Sequence, residues 1–433
     1  MFAQPVFFAT DHWGAELRLQ WISVGTAVDL LTRSGYQALL AGGCVRDVLL
    51  GREPKDFDIA TDATPDQVES LFPNALTIGK SFGVTIIPVE LKPGQPQAGH
   101  FQLEIATFRE DLEYHDGRRP SGVRFATVEG DAKRRDFTIN AMFYDLKTSQ
   151  LLDFVNGRRD LTARVIRTVG EASSRFQEDH LRILRAVRFS AQLDFKIDPQ
   201  TLSAMTELAG SVASVSRERV RDEMLKLLAA PGRIAGLEIL CQSGLLRVLF
   251  PSLAQKLESE LELWSGTFSR ASSLGPAPLQ PELLLAIFFR PVFVSGSERA
   301  FREMISKELK LDGLLIKSIL FILGNLEIFL NPGSIRRGEL IRLAADDAAA
   351  STRQLAALVE PKLAALRETQ IQDLVGSSHP LPVAFLTGQS AQALGLRDGP
   401  EMGRLLREAY LLQLEGSFSD VSSAEAWLKS KLN

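Results

Sequence analysis

A chain of 433 residues is too long for one hydrophobic core and should divide into two to four domains. Its 45% hydrophobic and 24% charged residues are those of a soluble globular protein, and two widely separated cysteines, Cys44 and Cys241, exclude a disulfide framework and argue against zinc, which fits a reducing cytoplasm. The formal net charge of −4 counts against a uniformly basic nucleic-acid binder.

In chain order, MFAQPVFFAT is apolar, but it lacks a basic n-region and is too short for a signal sequence. Ala38–Leu40 is a short strand-like run that ends in Gly42-Gly43. Val45–Leu50 follows as a helix and Phe57–Ala60 as a strand. TPDQVESLF is a capped helix with Thr64 at the N-cap and Pro65 at N1. Val84–Leu91 and Phe101–Phe108 are strands on either side of the turn-rich KPGQPQAG. From about 160 onward strand signals fade, and helical periodicity covers Phe176–Gln192, Pro199–Leu208, Arg217–Ala229 and Gly232–Ser243. LLIKSILFILGNLEIFL is broken by Lys317, Gly324, Asn325 and Glu327, so it reads as a buried helix pair rather than a membrane span. SSHPLP is a linker to a C-terminal module. The expectation is an α+β fold, an α/β head followed by helices.

Charge is local. Residues 158–188 hold eight arginines against four acids, and 109–135 are also rich in Arg and Lys, so any RNA should bind there. Gly42 and Gly43 let backbone N–H groups approach a phosphate, at the start of a helix whose dipole favours an anion, and Arg46 lies one turn further on. Thirteen residues after Gly43 comes Asp56, and Asp58 follows at the i+2 spacing that puts two strand side chains on one face. Paired like charges are costly unless a cation joins them, and hard oxygen donors suit Mg2+, which also bridges phosphates.

The run GGCVRDVLLG…KDFDIAT resembles the first motif of the tRNA nucleotidyltransferase and poly(A) polymerase family, the bacterial-type branch of the polymerase-β-like superfamily. That resemblance implies a polymerase-β-like head at 1–152, a helical neck that recognises the base at 153–230, a helical body at 231–376 and a tRNA-binding tail at 377–433. It implies Mg2+-dependent transfer of a nucleotide to an RNA 3′ hydroxyl, with tRNA, CTP and ATP as partners, no DNA and no membrane. Asp56 and Asp58 would be catalytic metal ligands, and Glu104, in LEIATFRED, the third carboxylate. AKRRDFTINAM resembles the second motif. There Arg134 and Arg135 would bind phosphate, Arg135 being the better candidate, and Asp136 would orient one of them. EDLEYHDGRRPSGVRF resembles the flexible loop used in switching from C to A. LTIGKSFG lacks the basic element of bacterial poly(A) polymerases, which favours tRNA.

DFVNGRRDLT, with Asp153, Gly157 and Asp160, resembles a third motif that is either a hinge or a structural turn. SRFQEDHLRILRAVRF matches the pattern EDxxRxxRxxRF. On one helix Glu178, Arg182 and Arg185 would share a face, with Asp179 one turn before Arg182. An Asp acceptor and an Arg donor together can copy the Watson–Crick edge of a partner base, and Arg185 and Arg188 would support the triphosphate or that pair. His180 carries no assigned role. In SRERVRDEMLKLL, Arg217, Arg219 and Arg221 could meet RNA or balance acids. GLRDGPEMG offers a glycine turn before a helix, either for RNA phosphate or for packing alone.

Overall fold

A computed structural model describes residues 13–76, 83–90, 100–112, 122–272, 279–294, 297–331, 333, 335–375 and 381–432. It comprises two compact units, Met1–Leu249 and Phe250–Asn433.

The first unit begins with a helix that the sequence reading did not anticipate, α1 (Ala15–Arg33). There follow β1 (Ala38–Ala41), α2 (Gly43–Leu49), β2 (Asp58–Thr61), α3 (Pro65–Leu71), β3 (Val84–Glu90) and β4 (His100–Thr107). The Thr64 cap is as expected: its side chain accepts the Gln67 N–H, and Gln67 answers with its own side chain on the Thr64 N–H. A hairpin of β5 (Arg109–Asp111) and β6 (Val123–Phe125) leads to α4 (Val128–Arg134), then β7 (Phe143–Asp145) and β8 (Gln150–Leu152). Six strands form one mixed sheet in the order β3-β4-β2-β1-β7-β8. β2 is antiparallel to β1 and parallel to β4, and this register sets Ala41, Asp58 and Glu104 level across three neighbouring strands. Residues level in this way share a sheet face.

The face is fixed by an apolar anchor. Phe57 is buried, with its ring 6.0 Å from that of Trp13 and 5.6 Å from that of Trp21 on α1. Because alternate residues of extended chain point oppositely, burying Phe57 turns Asp56 and Asp58 the other way.

Helices follow: α5 (Gly157–Ala163), then two strands of two residues, β9 (Val165–Ile166) and β10 (Lys196–Ile197), which enclose α6 (Ala172–Glu178) and α7 (Leu181–Leu193). α8 (Pro199–Glu207), α9 (Arg217–Leu228), α10 (Arg233–Gln242) and α11 (Leu245–Leu249) complete the unit. The third motif is a tight junction. Asp153 accepts the backbone N–H groups of Val155, Gly157 and Arg158, and Asp160 accepts from Thr138 Oγ1 at 2.7 Å. A Cβ on Gly157 would lie 2.3 Å from the Thr138 carbonyl oxygen and 2.8 Å from Met142 Cγ. Backbone cannot step aside as a side chain can, so Gly157→Ala should cost about 2–4 kcal/mol. A urea titration of the full chain reads this as a lowered unfolding midpoint for the first unit, and an unchanged midpoint contradicts it.

One expectation fails here. Phe176–Gln192 is not one helix: α6 stops at Glu178, Asp179 takes extended dihedrals (φ −143°, ψ 105°), and α7 restarts after His180. Asp179 Oδ1 accepts the Leu181 N–H at 3.1 Å, a local turn that replaces the helical ladder. Glu178 and Arg182 therefore meet across a break.

Among the described residues of the second unit the regular elements are all helices: α12 (Pro251–Ser272), α13 (Pro281–Phe289), α14 (Glu298–Leu309), α15 (Gly313–Leu330), α16 (Arg337–Ala344), α17 (Ala349–Val359), α18 (Pro361–Val375), α19 (Gly388–Ala393), α20 (Pro400–Leu414) and α21 (Val421–Leu432). The expected helix pair in the apolar stretch is one helix, α15, capped by Asp312. By length and composition α15 could cross a membrane; in this unit it buries Ile319, Ile322, Leu326 and Phe329 and packs with α13 and α17. Gly324 and Asn325 do not break it, since an interior glycine costs only about 1 kcal/mol and the Asn325 side chain donates back to the Phe321 carbonyl. GLRDGPEMG places Gly399 before α20 with Pro400 at its first position.

Candidate functional site

β1 delivers the chain to Gly42, which has φ 73°. That left-handed conformation suits glycine, and the space is also confined: a Cβ there would lie 3.0 Å from Arg135 Nη1 and 3.8 Å from Asp58 Oδ2. The glycine turn, the second-motif arginine and the aspartate thus converge within a few ångströms. Arg46 is buried; it donates to Asp47 Oδ1 at 2.8 Å and to Asn140 Oδ1 at 2.6 Å.

The carboxylates crowd one another. Burial raises the Asp58 carboxyl, Asp56 and Glu104 raise it further, and Arg135 only partly opposes them, so it is pushed up to about 7. Burial also pushes the neighbouring Cys44 thiol up to about 12 and leaves it inert. Among the described residues no three His, Cys, Asp or Glu side chains close on one point. Two carboxylates with further positions left for water and phosphate oxygens is nevertheless a donor set that fits Mg2+, and a cation would relieve the repulsion at Asp58.

These groups open onto a cavity of about 780 Å³, within the size range of small-ligand sites. Of the residues that line it, nine are Arg or Lys and five are Asp. A chain with a net charge of −4 therefore encloses a locally cationic pocket, which suits a triphosphate. Gly42, Gly43, Arg46, Asp56, Asp58, Arg134, Arg135, Asp179, Arg182, Arg185 and Arg188 all line it. Glu104 does not; it stands level with Asp58 on the adjoining strand and is exposed.

Buried acids hold the arginines, though not always the expected ones. Arg134 and Arg135 are both held by Asp131, at 2.7 and 3.0 Å. Asp136 instead grips Arg185, from Nε at 2.8 Å and Nη2 at 2.6 Å, and accepts the Phe137 N–H. The expectation that Asp136 orients Arg134 or Arg135 is thus corrected. Asp131 lies three and four residues before the two arginines on the same helical path, within side-chain reach, whereas Asp136 follows them after the helix has ended. Burial alone would raise Asp136, but the Arg185 guanidinium overrides it and holds the carboxyl down at about 2.

Arg182 donates to Glu178, to the Arg175 carbonyl at 3.1 Å and to the Arg134 carbonyl at 3.3 Å. Arg188 donates to Glu223 at 2.5 Å and to Gln192 at 2.8 Å, with its guanidinium 3.8 Å from the centre of the Phe189 ring. Both carboxylate oxygens of Asp179 are taken by Arg219 of α9, at 3.2 and 2.7 Å. His180 Nδ1 lies 2.8 Å from Ser214 Oγ. Of the three α9 arginines singled out, Arg219 enters the cavity and Arg221 is paired with Asp222.

Arg219, expected to meet RNA or balance acids, balances Asp179, and residues unassigned from sequence also shape the site: Asp131, Asn140, Glu223 and, on the cavity wall, Lys55 and Lys226. Helical spacing could have exposed Asp131. Asn140, four residues after Asp136, bridges it to Arg46. No local signal marks the pairings made by α9. Most of the loop expected at 110–125 and of LTIGKSFG lies outside the described residues.

Residues 38–167 match the family model described as "Poly A polymerase head domain", and residues 194–257 match "Probable RNA and SrmB- binding site of polymerase A". The CCA-adding enzyme of Bacillus licheniformis is 36% identical over 340 residues, covering 78% of this chain and 80% of that protein. Poly(A) polymerase I of Escherichia coli O6:H1 is 38% identical over 236 residues, 52% of this chain and 49% of its own. A crystal structure of the Bacillus stearothermophilus CCA-adding enzyme in complex with CTP superposes with a TM-score of 0.75 at 27% identity, covering 96% of this chain and 98% of that one.

Proposed function

We propose that this chain, which belongs to the tRNA nucleotidyltransferase and poly(A) polymerase family, adds C and A to the 3′ end of tRNA from CTP and ATP without a nucleic-acid template. The observation that carries this reading is the single cationic cavity shared by the paired aspartates and by Asp179 and Arg182. It brings together what nucleotidyl transfer needs and what a choice of base needs. The likeness to the Bacillus licheniformis CCA-adding enzyme covers 78% of the chain, and the structural likeness to a CCA-adding enzyme bound to CTP covers 96%, whereas other CCA-adding enzymes and poly(A) polymerase I match over about half; the two longer matches support tRNA as substrate.

In the reaction the RNA 3′ oxygen attacks the α-phosphorus as the bond to the pyrophosphate oxygen breaks. Mg2+ held by Asp56 and Asp58 would supply activation of the hydroxyl and neutralisation of the developing phosphate charge. Glu104 adds negative potential beside Asp58, which tightens the hold on a cation. Arg46, Arg134 and Arg135 receive the triphosphate; Asp131 and Asn140 fix their guanidinium planes in advance, so little reorganisation remains when substrate binds. Arg182 donates to the ring nitrogen of C or A, and Asp179 accepts from the exocyclic amino group. Arg185 and Arg188 support the wall behind them. On this reading the head spans 1–152, the neck 153–230, the body 231–376 and the tail 377–433, and the protein works in the cytoplasm.

The test is addition by purified full-length protein, with Mg2+, CTP and ATP, to tRNA transcripts ending before CCA, after C and after CC. The expected result is completion of CCA on all three. Addition of A to the CC-ended transcript alone defeats the full reading, and A tails on unrelated RNA point to a poly(A) polymerase. No addition to any RNA leaves a binding scaffold.

A further inference from the structure

All four bases present a hydrogen-bond donor and an acceptor side by side on the Watson–Crick edge. In C and A the donor is the exocyclic amino group and the acceptor is the ring nitrogen. In U and G the order is reversed, a carbonyl beside a ring N–H. One carboxylate and one guanidinium can therefore pair with any base, and selection depends on which stands where.

The two groups are positioned independently. Arg182 is fixed by Glu178 and by two backbone carbonyls. Asp179 sits at the helix break, and among the described residues its carboxylate accepts from Arg219 Nη1 (3.2 Å) and Nη2 (2.7 Å) and from the Leu181 N–H (3.1 Å). Arg219 comes from another helix, forty residues on. We propose that Arg219 is a specificity-determining positioning residue: its two-pronged grip fixes the plane of the Asp179 carboxylate so that an acceptor meets the exocyclic position of the incoming base. This rests on the base-reading role given to Asp179 above.

Two features support it. A carboxylate has about four lone-pair positions, and three are occupied here, which leaves about one for the single amino donor of C or A. Glu223, four residues after Arg219 on α9, holds Arg188 at 2.5 Å, so one face of α9 ties down both the break and the third turn of α7. Freed from Arg219, the carboxylate can turn about its side-chain bonds and accept the ring N–H of U or G.

The test compares kcat/KM for CTP and UTP on CCA-less tRNA, and for ATP and GTP on tRNA ending in CC, for the wild-type full chain, Arg219→Gln, Arg219→Lys and Asp179→Asn. Arg219→Gln should raise UTP relative to CTP by about tenfold or more, because the reversed pattern is no longer excluded. Arg219→Lys, which keeps the charge without the planar fork, should fall between it and wild type. If Arg219→Gln does not fold, the intermediate ratio of Arg219→Lys carries the same test. A purely structural role would lower all four nucleotides together with the ratio unchanged, and that result overturns the proposal. If Asp179→Asn raises the ratio and neither Arg219 variant does, the proposal alone fails. If Asp179→Asn also leaves it unchanged, the base-reading role falls and the proposal with it.

Discussion

Asp58→Asn should lower addition of both C and A by about 10⁴-fold or more, while the affinity for CCA-less tRNA changes by less than about threefold. The amide removes the charge that would hold a cation, and each factor of ten corresponds to about 1.4 kcal/mol of lost transition-state stabilisation. The cationic wall that would meet RNA phosphate is untouched. A second consequence distinguishes a metal ligand from a merely buried acid. Burial, Asp56 and Glu104 lift the Asp58 carboxyl from 3.8 to about 7. A carboxyl raised on folding contributes stability that is fully present below its unfolded value and lost as pH rises through its folded value. The metal-free wild type should therefore lose on the order of 2–4 kcal/mol between about pH 4 and pH 7 on this account, and Asp58→Asn should not. At pH 8 without Mg2+ the variant should melt several degrees higher, and added Mg2+ should raise the wild type and leave the variant unmoved. Retained addition, or lost tRNA binding with the fold intact, would contradict the role of Asp58.

Much of this site can be read in the sequence because its chemistry lies in short runs where spacing becomes geometry directly. Gly42 at the end of a strand and Asp56 and Asp58 two apart need no knowledge of the rest of the chain. What spacing could not supply is what turns those runs toward each other. Phe57 reads as an ordinary strand residue until Trp13 and Trp21 are seen to cover it, and only then is the direction of Asp56 and Asp58 explained. The break at Asp179 is hidden for a different reason. Phe176, Ile183 and Val187, all buried, keep helical spacing of seven and four residues across it, so periodicity continues where the backbone does not. Asp136 and Asp131 show a further limit. Both are acids beside two arginines, and which one holds them depends on where α4 ends, the least certain feature of any helix read from sequence.

Arg182→Ala should act on choice rather than on chemistry. Discrimination of C and A against U and G should fall about 10²-fold, while addition of the correct nucleotide falls far less than for Asp58→Asn. The fold should tolerate the change. Of the three acceptors that Arg182 serves, Glu178 keeps Arg175 at 2.9 Å and the Arg134 carbonyl keeps the Arg175 guanidinium at 3.5 Å, so only the Arg175 carbonyl loses the charged donor described for it. A loss of about 1–3 kcal/mol is expected from truncating a buried, hydrogen-bonded side chain. Selectivity should suffer more, because in the proposed role Arg182 has a second use. A fixed donor rewards the ring nitrogen of C and A, but it also leaves a buried guanidinium facing the ring N–H of U or G, two donors with no acceptor between them. Alanine removes reward and penalty together, so wrong nucleotides gain as right ones lose. Competition of CTP with UTP on a single tRNA transcript measures both at once. If the ratio is unchanged while addition of every nucleotide falls in parallel, Arg182 supports the site without reading the base.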